Sequence, residues 1–134
     1  STTQKEVNKM KIVINTLNPP APLGPYNQAI LVKDTLYVSG QIAINPTSNN
    51  MVIDDITAET KQVMANLFAI LEEAQMTFDD VVKCSIFVKD LTQFSIINKT
   101  YGEYFKELAP ARETVEVSKL PKNANIEISC VAVL

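Results

Sequence analysis

The stretch VVKCSIFVK, residues 81–89, sets Val82, Cys84, Ile86 and Val88 against Lys83, Ser85, Phe87 and Lys89. Alternation of this kind belongs to a strand with one buried face. On both sides of it the apolar period lengthens. Val63, Leu67, Ile70, Leu71 and Ala74 recur at helical spacing, as do Phe94, Ile97, Tyr101, Tyr104 and Leu108. A strand between two amphipathic helices lies in a sheet that those helices cover, which leaves mixed folds only.

Further strand patterns place that sheet. KIVIN, AILVK and LYVSGQIAI precede the first helix, and ETVEVSK and NIEISCVAVL follow the second. The order β-β-β-α-β-α-β-β predicts an α+β fold, a two-layer sandwich with two helices on one face of a mixed β-sheet. Asp34-Thr35 is the expected hairpin turn. NPTSNN is a second turn, in which asparagine takes the left-handed conformation. Thr57 is the expected N-cap of a helix over Ala58–Gln75, and the second helix starts near Thr92. Four prolines and a glycine make Asn18–Tyr26 a rigid irregular loop. At 134 residues the chain suits one domain, expected over residues 11–134, with residues 1–10 as a flexible extension.

Composition narrows the chemistry. Apolar residues make up 46% of the chain and charged residues 20%, so it is able to bury a core. With no histidine it lacks the usual general base and the commonest zinc ligand, which excludes histidine triads and zinc hydrolysis. The net charge is −3 and the lysines are scattered, so no basic stripe invites nucleic acid. Cys84 and Cys130 sit in strand patterns and read as buried thiols. The opening STTQKEVNKMK is too polar for a secretory signal, and no apolar run is long enough to span a bilayer. A cytoplasmic protein with no membrane partner is expected.

Two groups remain that can do chemistry. By alternation Arg112, Thr114, Glu116 and Ser118 share one strand face. Glu127, Ser129, Val131 and Val133 share one face of the last strand, opposite Ile126, Ile128, Cys130 and Ala132. If those strands are neighbours, their polar faces meet on the side of the sheet away from the helices. The apolar residues there call for cover by another subunit, with clefts lined by Arg112, Thr114 and Glu127. A guanidinium grips a carboxylate through two parallel hydrogen bonds, and a partly desolvated glutamate suits proton transfer or water orientation. A cross-strand ion pair between Arg112 and Glu127 on a solvated face fits the same spacing. Tyr26, in GPYNQA, reads from the residues alone as a core aromatic after a proline turn, and Gly40 as a bulge or a close backbone approach to a ligand.

GPYNQA, LYVSGQIAINP, VVKCSIFVKDL, FSIINKTYGEYF and PARETVEVSKLPKNANIEI stand in the order and spacing of one family. Over Lys11 to Val133 the chain resembles the RidA/YjgF family of reactive-intermediate (enamine/imine) deaminases. The resemblance implies a chorismate-mutase-like fold assembled as a homotrimer, with a central β-barrel, helices outside and clefts between subunits. It implies hydrolysis of 2-aminoacrylate-derived and related 2-imino acids to 2-keto acids and ammonia, without metal or organic cofactor. Arg112 then resembles the carboxylate-binding arginine and Glu127 the acid that positions water. Tyr26 resembles the residue covering the substrate, Gly40 and Thr114 supply backbone contacts, and Asn98 lies near the pocket. Thr114 stands where deaminating members often carry cysteine, and Ala109 where an aromatic often precedes the proline. The alternative is a non-catalytic keto-acid-binding or regulatory module using the same cleft.

Overall fold

A computed structural model describes residues 1–8, 10–16 and 24–134. Much of the proline-rich loop expected over Asn18–Tyr26 lies outside the described residues. A short helix, α1 (Gln4–Asn8), is followed by β1 (Ile12–Ile14), β2 (Ala29–Val32), β3 (Thr35–Gln41), α2 (Ile56–Glu73), β4 (Val81–Val88), α3 (Phe94–Gly102), β5 (Ala111–Glu116) and β6 (Ile126–Val133). The strands form one six-stranded sheet in the order β1-β2-β3-β6-β4-β5. All pairings are antiparallel except β4 with β5, so the sheet is mixed, as predicted.

The hairpin turn falls one residue earlier than Asp34-Thr35. Val32 pairs with Thr35, which leaves Lys33-Asp34 as the connection. Lys33 takes φ 53°, the left-handed conformation that a two-residue hairpin demands and that the sequence does not advertise with a glycine. Asn49 takes φ 62° in the second turn, the role expected of asparagine there. Around it Ile44 bridges to Met51, and the Asn45 side chain accepts from the Thr47 and Ser48 amides.

The α2 helix begins two residues before the predicted start, because Asp55 rather than Thr57 caps it. The Asp55 carboxylate accepts from the Ala58 amide at 2.7 Å. At the other end Gln75 turns left-handed at φ 60°. The Met76 amide returns to the Leu71 carbonyl at 2.9 Å and the Gln75 amide to that of Glu72, which stops the helix before Gln75. Buried Leu71 and Met76 close this cap with an apolar contact.

α2 lays Ile56, Val63, Met64, Leu67, Ile70 and Leu71 on the sheet, against Leu36, Val38, Cys84, Ile86, Val88, Ile126, Ile128 and Cys130. α3 adds Ile97 and Tyr101 to the same core. It ends at Gly102, so Leu108, predicted on its apolar face, stands 93% exposed in the loop beyond it. In β4 the alternation predicted from Val82 slips at its first residue. A register shift lies between Val81 and Lys83, and Val81 rather than Val82 turns inward.

Alanine at Asp55 removes a cap and is expected to lower unfolding free energy by about 1 kcal/mol in urea titrations. Alanine at Thr57, where the hydroxyl caps nothing, is expected to leave it within about 0.5 kcal/mol of the parent.

Candidate active site

Side chains opposite each other in a ladder project to the same face. Cys84 is opposite both Arg112 on β5 and Cys130 on β6, and both cysteines are buried in the core. Arg112 and, two residues on, Thr114 therefore project on the helix-covered side. Glu127 is opposite Phe87 and Phe87 opposite Val115, which sets these three on the open side. The predicted meeting of the two polar faces on one side does not occur within the chain. β4 lies between β5 and β6, and Arg112 and Glu127 take opposite faces. Strand spacing puts their Cα atoms roughly 14 Å apart. A cross-strand ion pair between them is excluded by the same geometry.

On the helix side the Arg112 guanidinium lies between two rings of α3. Its central carbon is 5.4 Å from the Phe94 centroid and 5.1 Å from that of Tyr101. Such contacts hold a cation in place while leaving its N–H fork unspent. Among the described residues no carboxylate pairs with it. Asn98 stands on the α3 stripe between those rings, at i+4 from Phe94, with Oδ1 buried and without a hydrogen-bond partner. Thr114 Oγ1 and the Tyr101 hydroxyl are likewise buried and unpartnered. Leu91, Phe94, Arg112 and Thr114 line a concavity of about 450 Å³. Burial raises the pKa of the Tyr101 hydroxyl, and it also raises that of the Cys84 thiol beside it.

The other predicted group, Glu127, is at the opposite face. Glu127 lies across Gly40 so closely that a Cβ added at Gly40 would overlap its carboxylate, 2.8 Å from Cδ. The β3–β6 register shifts between Val38 and Gln41, so Gly40 sits in the bulge, the first of the two roles its sequence allowed, and what lies close against it is the Glu127 side chain. Desolvation raises the Glu127 pKa above the usual carboxylate range. Tyr26 is no core aromatic: it is 52% exposed and lines a second concavity of about 440 Å³ on the open face, with Ser39, Tyr37 and Ser129.

The structure thus sorts the six predicted residues into two sets: Arg112, Thr114 and Asn98 on the helix side, and Glu127, Gly40 and Tyr26 on the open side. Phe94 and Leu91 were missed as site residues. The signal was present in Phe94, Asn98 and Tyr101 falling on one helical stripe, but an apolar stripe announces a core before a site.

The model of the family described as Endoribonuclease L-PSP matches residues 16–134. A RutC family protein of Pyrococcus horikoshii is 47% identical over 123 residues, 92% of this chain and 98% of that protein. A human protein named 2-iminobutanoate/2-iminopropanoate deaminase is 41% identical over 121 residues, 90% of this chain and 88% of its own length. This chain belongs to the RidA/YjgF/RutC family. Among solved structures, a Rid-family protein of Yersinia pestis superposes with a TM-score of 0.90 at 46% identity, covering 93% of this chain and 100% of that one. The YjgF gene product of Escherichia coli gives a TM-score of 0.87 at 41% identity, covering 91% and 98%. The six-stranded mixed sheet with two main helices is therefore the Rid architecture.

Gly40→Ala tests the close contact between Gly40 and the Glu127 carboxylate. Gly40 has no positive φ, and what it would meet is the far end of a side chain. The expected variant is folded, within about 1 kcal/mol of the parent in denaturant titration, with the Glu127 carboxylate displaced in its crystal structure.

Proposed function

We propose that this protein hydrolyses reactive 2-imino acids and their enamine tautomers, such as those derived from 2-aminoacrylate, to 2-keto acids and ammonia. The observation that carries the proposal is that Arg112 and Glu127 take opposite faces of one sheet. An arginine with no partner carboxylate and a desolvated glutamate each form half of a cleft, and a second copy of the chain brings the missing half. The apolar residues of the open face, Val13, Tyr37, Val115 and Val133 among them, are exposed in the single chain and favour cover by such a copy. The homotrimer with a central barrel is the assembly the family resemblance suggests. Two relatives at 40–41% identity, human and goat, carry the deaminase name, which supports the substrate class.

In this reading the Arg112 fork binds the substrate carboxylate, and the ring of Phe94 and the side chain of Leu91 wall the substituent at C3. Asn98 backs the guanidinium. Glu127 of the neighbouring copy orients a water and takes its proton as oxygen attacks C2. Glu127 passes that proton to the nitrogen, the new C2 hydroxyl gives its own proton to the departing nitrogen as it becomes the keto oxygen, the C–N bond breaks and ammonia leaves. Tyr26 covers the cleft, and the backbones of Gly40 and Thr114 frame it. Imines hydrolyse slowly unaided, so positioning and one proton transfer are sufficient catalysis. No step calls for a cofactor.

Mixing subunits tests the division. Arg112→Ala and Glu127→Ala are each expected to be inactive toward iminopropanoate generated in situ. Co-assembled in equal amounts as random trimers, they are expected to regain about a quarter of parental activity, because each mixed trimer contains one intact cleft of three. No recovery would mean that both groups act from the same chain. Pyruvate binding without turnover by the parent would instead identify a carboxylate-binding regulatory module.

The raised pKa fixes a sign. The working form of Glu127 is the carboxylate, so kcat/KM falls as pH drops through its folded value. That acid limb is expected above about 4.3, the ordinary glutamate value, and is expected to vanish in Glu127→Gln.

A further inference from the structure

Glu59 is a carboxylate with no accessible surface and no role in the chemistry above. It lies in the first turn of α2, whose N-terminal dipole favours negative charge. No cation pairs with it among the described residues. Instead Oε2 accepts from the Asn125 amide and Oε1 from Asn125 Nδ2, both at 2.7 Å. Burying a charge costs several kcal/mol unless its surroundings compensate, so what this one holds is informative.

Asn125 joins a strained turn to β6. Lys122 and Asn123 both have positive φ, 53° and 57°, in succession and without glycine. After Asn125 come Ile126, buried opposite Val88, and Glu127, opposite Phe87. The ladder of β6 with β3 reaches only as far as the Gln41–Ile128 pair. Residues 126 and 127 are thus paired on the β4 side alone. On that side the Asn125 carbonyl also accepts from the Lys89 amide, and Lys89 Nζ donates to Asn123 Oδ1. The β3 flank of this strand end has no ladder, and the α2 carboxylate is the other anchor it has.

We propose that Glu59 is a positioning residue for Glu127, holding the Asn125 end of β6 so that the Glu127 carboxylate lies across Gly40. The proposal rests on the assignment of Glu127 as the group that positions water. Charge is not what the anchor requires. In Glu59→Gln, Oε1 still accepts from the Asn125 amide, and after a flip of the Asn125 side chain Nε2 donates to its Oδ1.

The test compares Glu59→Ala and Glu59→Gln with the parent, each in its native assembly and at a temperature where it is fully folded. Two quantities are read: kcat and KM with iminopropanoate generated in situ, and the titration of the Glu127 carboxyl by 13C NMR, its signal assigned by loss in Glu127→Gln. For Glu59→Ala we expect kcat to fall about tenfold or more with KM within about twofold. Its Glu127 titration should move down toward the ordinary carboxylate range as the group swings toward water. Glu59→Gln should restore both. Should Glu59→Ala not fold, Asn125→Ala, which deletes one donor, is expected to give the same changes in smaller measure. A Glu127 titration unchanged from the parent in Glu59→Ala, or in Asn125→Ala if that stands in, overturns the proposal, whether or not kcat falls, since any loss then reaches the chemistry by another route. If the parent itself hydrolyses no imine, the functional reading fails, and the titration alone still decides whether Glu59 places Glu127.

Discussion

The pairing of β4 with both β5 and β6 is the constraint on which the rest depends. It seats Cys84 opposite Arg112 on one side and Cys130 on the other, and the pleat then dictates every face that follows. Once Ile126, Ile128 and Cys130 face the core, Glu127 has to face outward. Once Arg112 lines up with Cys84, it has to face the helices. Shifting β6 by one residue would swap core for surface along its length, so apolar burial fixes the face of Glu127, whereas β5 buries no side chain fully and Arg112 takes its face from the ladder with β4.

Element order and type were legible in the sequence because two hydrophobic periods announce them. Strand adjacency was not. ETVEVSK and NIEISCVAVL follow one another in the chain and alternate alike, yet β4 separates them, and nothing local in either segment says so. The consequence was large: the two strands' polar faces, expected on one side, lie on opposite sides. Smaller misses have local causes. Asp55 and Thr57 are both good caps two residues apart, and only the carboxylate reaches a free amide. Leu108 continues the helical spacing of α3, but spacing does not register that the helix has ended. Tyr26 follows a proline like a core aromatic, and nothing local in GPYNQA says that its ring is exposed on the open face.

Arg112 shows how a cation is held in place without an ion pair among the described residues. A guanidinium near a carboxylate of its own chain would be neutralised and would have to be pulled off it to bind a ligand. Two aromatic rings of α3 lie beside it instead, within cation–π distance of its central carbon. Beside it, burial raises the pKa of both Cys84 and Cys130, which keeps these thiols protonated and poor nucleophiles.

The acid half owes its place to an irregularity of the sheet. A continuous β3–β6 ladder would carry a side chain beside each residue of β6 and would hold its beginning rigidly on both flanks. The bulge between Val38 and Gln41 interrupts that ladder, and Gly40 within it leaves bare backbone where a side chain would stand. A carboxylate is able to lie there, shielded enough to lose part of its hydration, only because the strand pairing has been given up. Past the bulge the ladder resumes only at the Gln41–Ile128 pair, where β3 ends, so residues 126 and 127 have no partner on that flank and are held by contacts from outside the sheet. Bulge, bare backbone and an anchor from α2 are therefore one arrangement: the first two open the space for a glutamate, and the third keeps the glutamate in it.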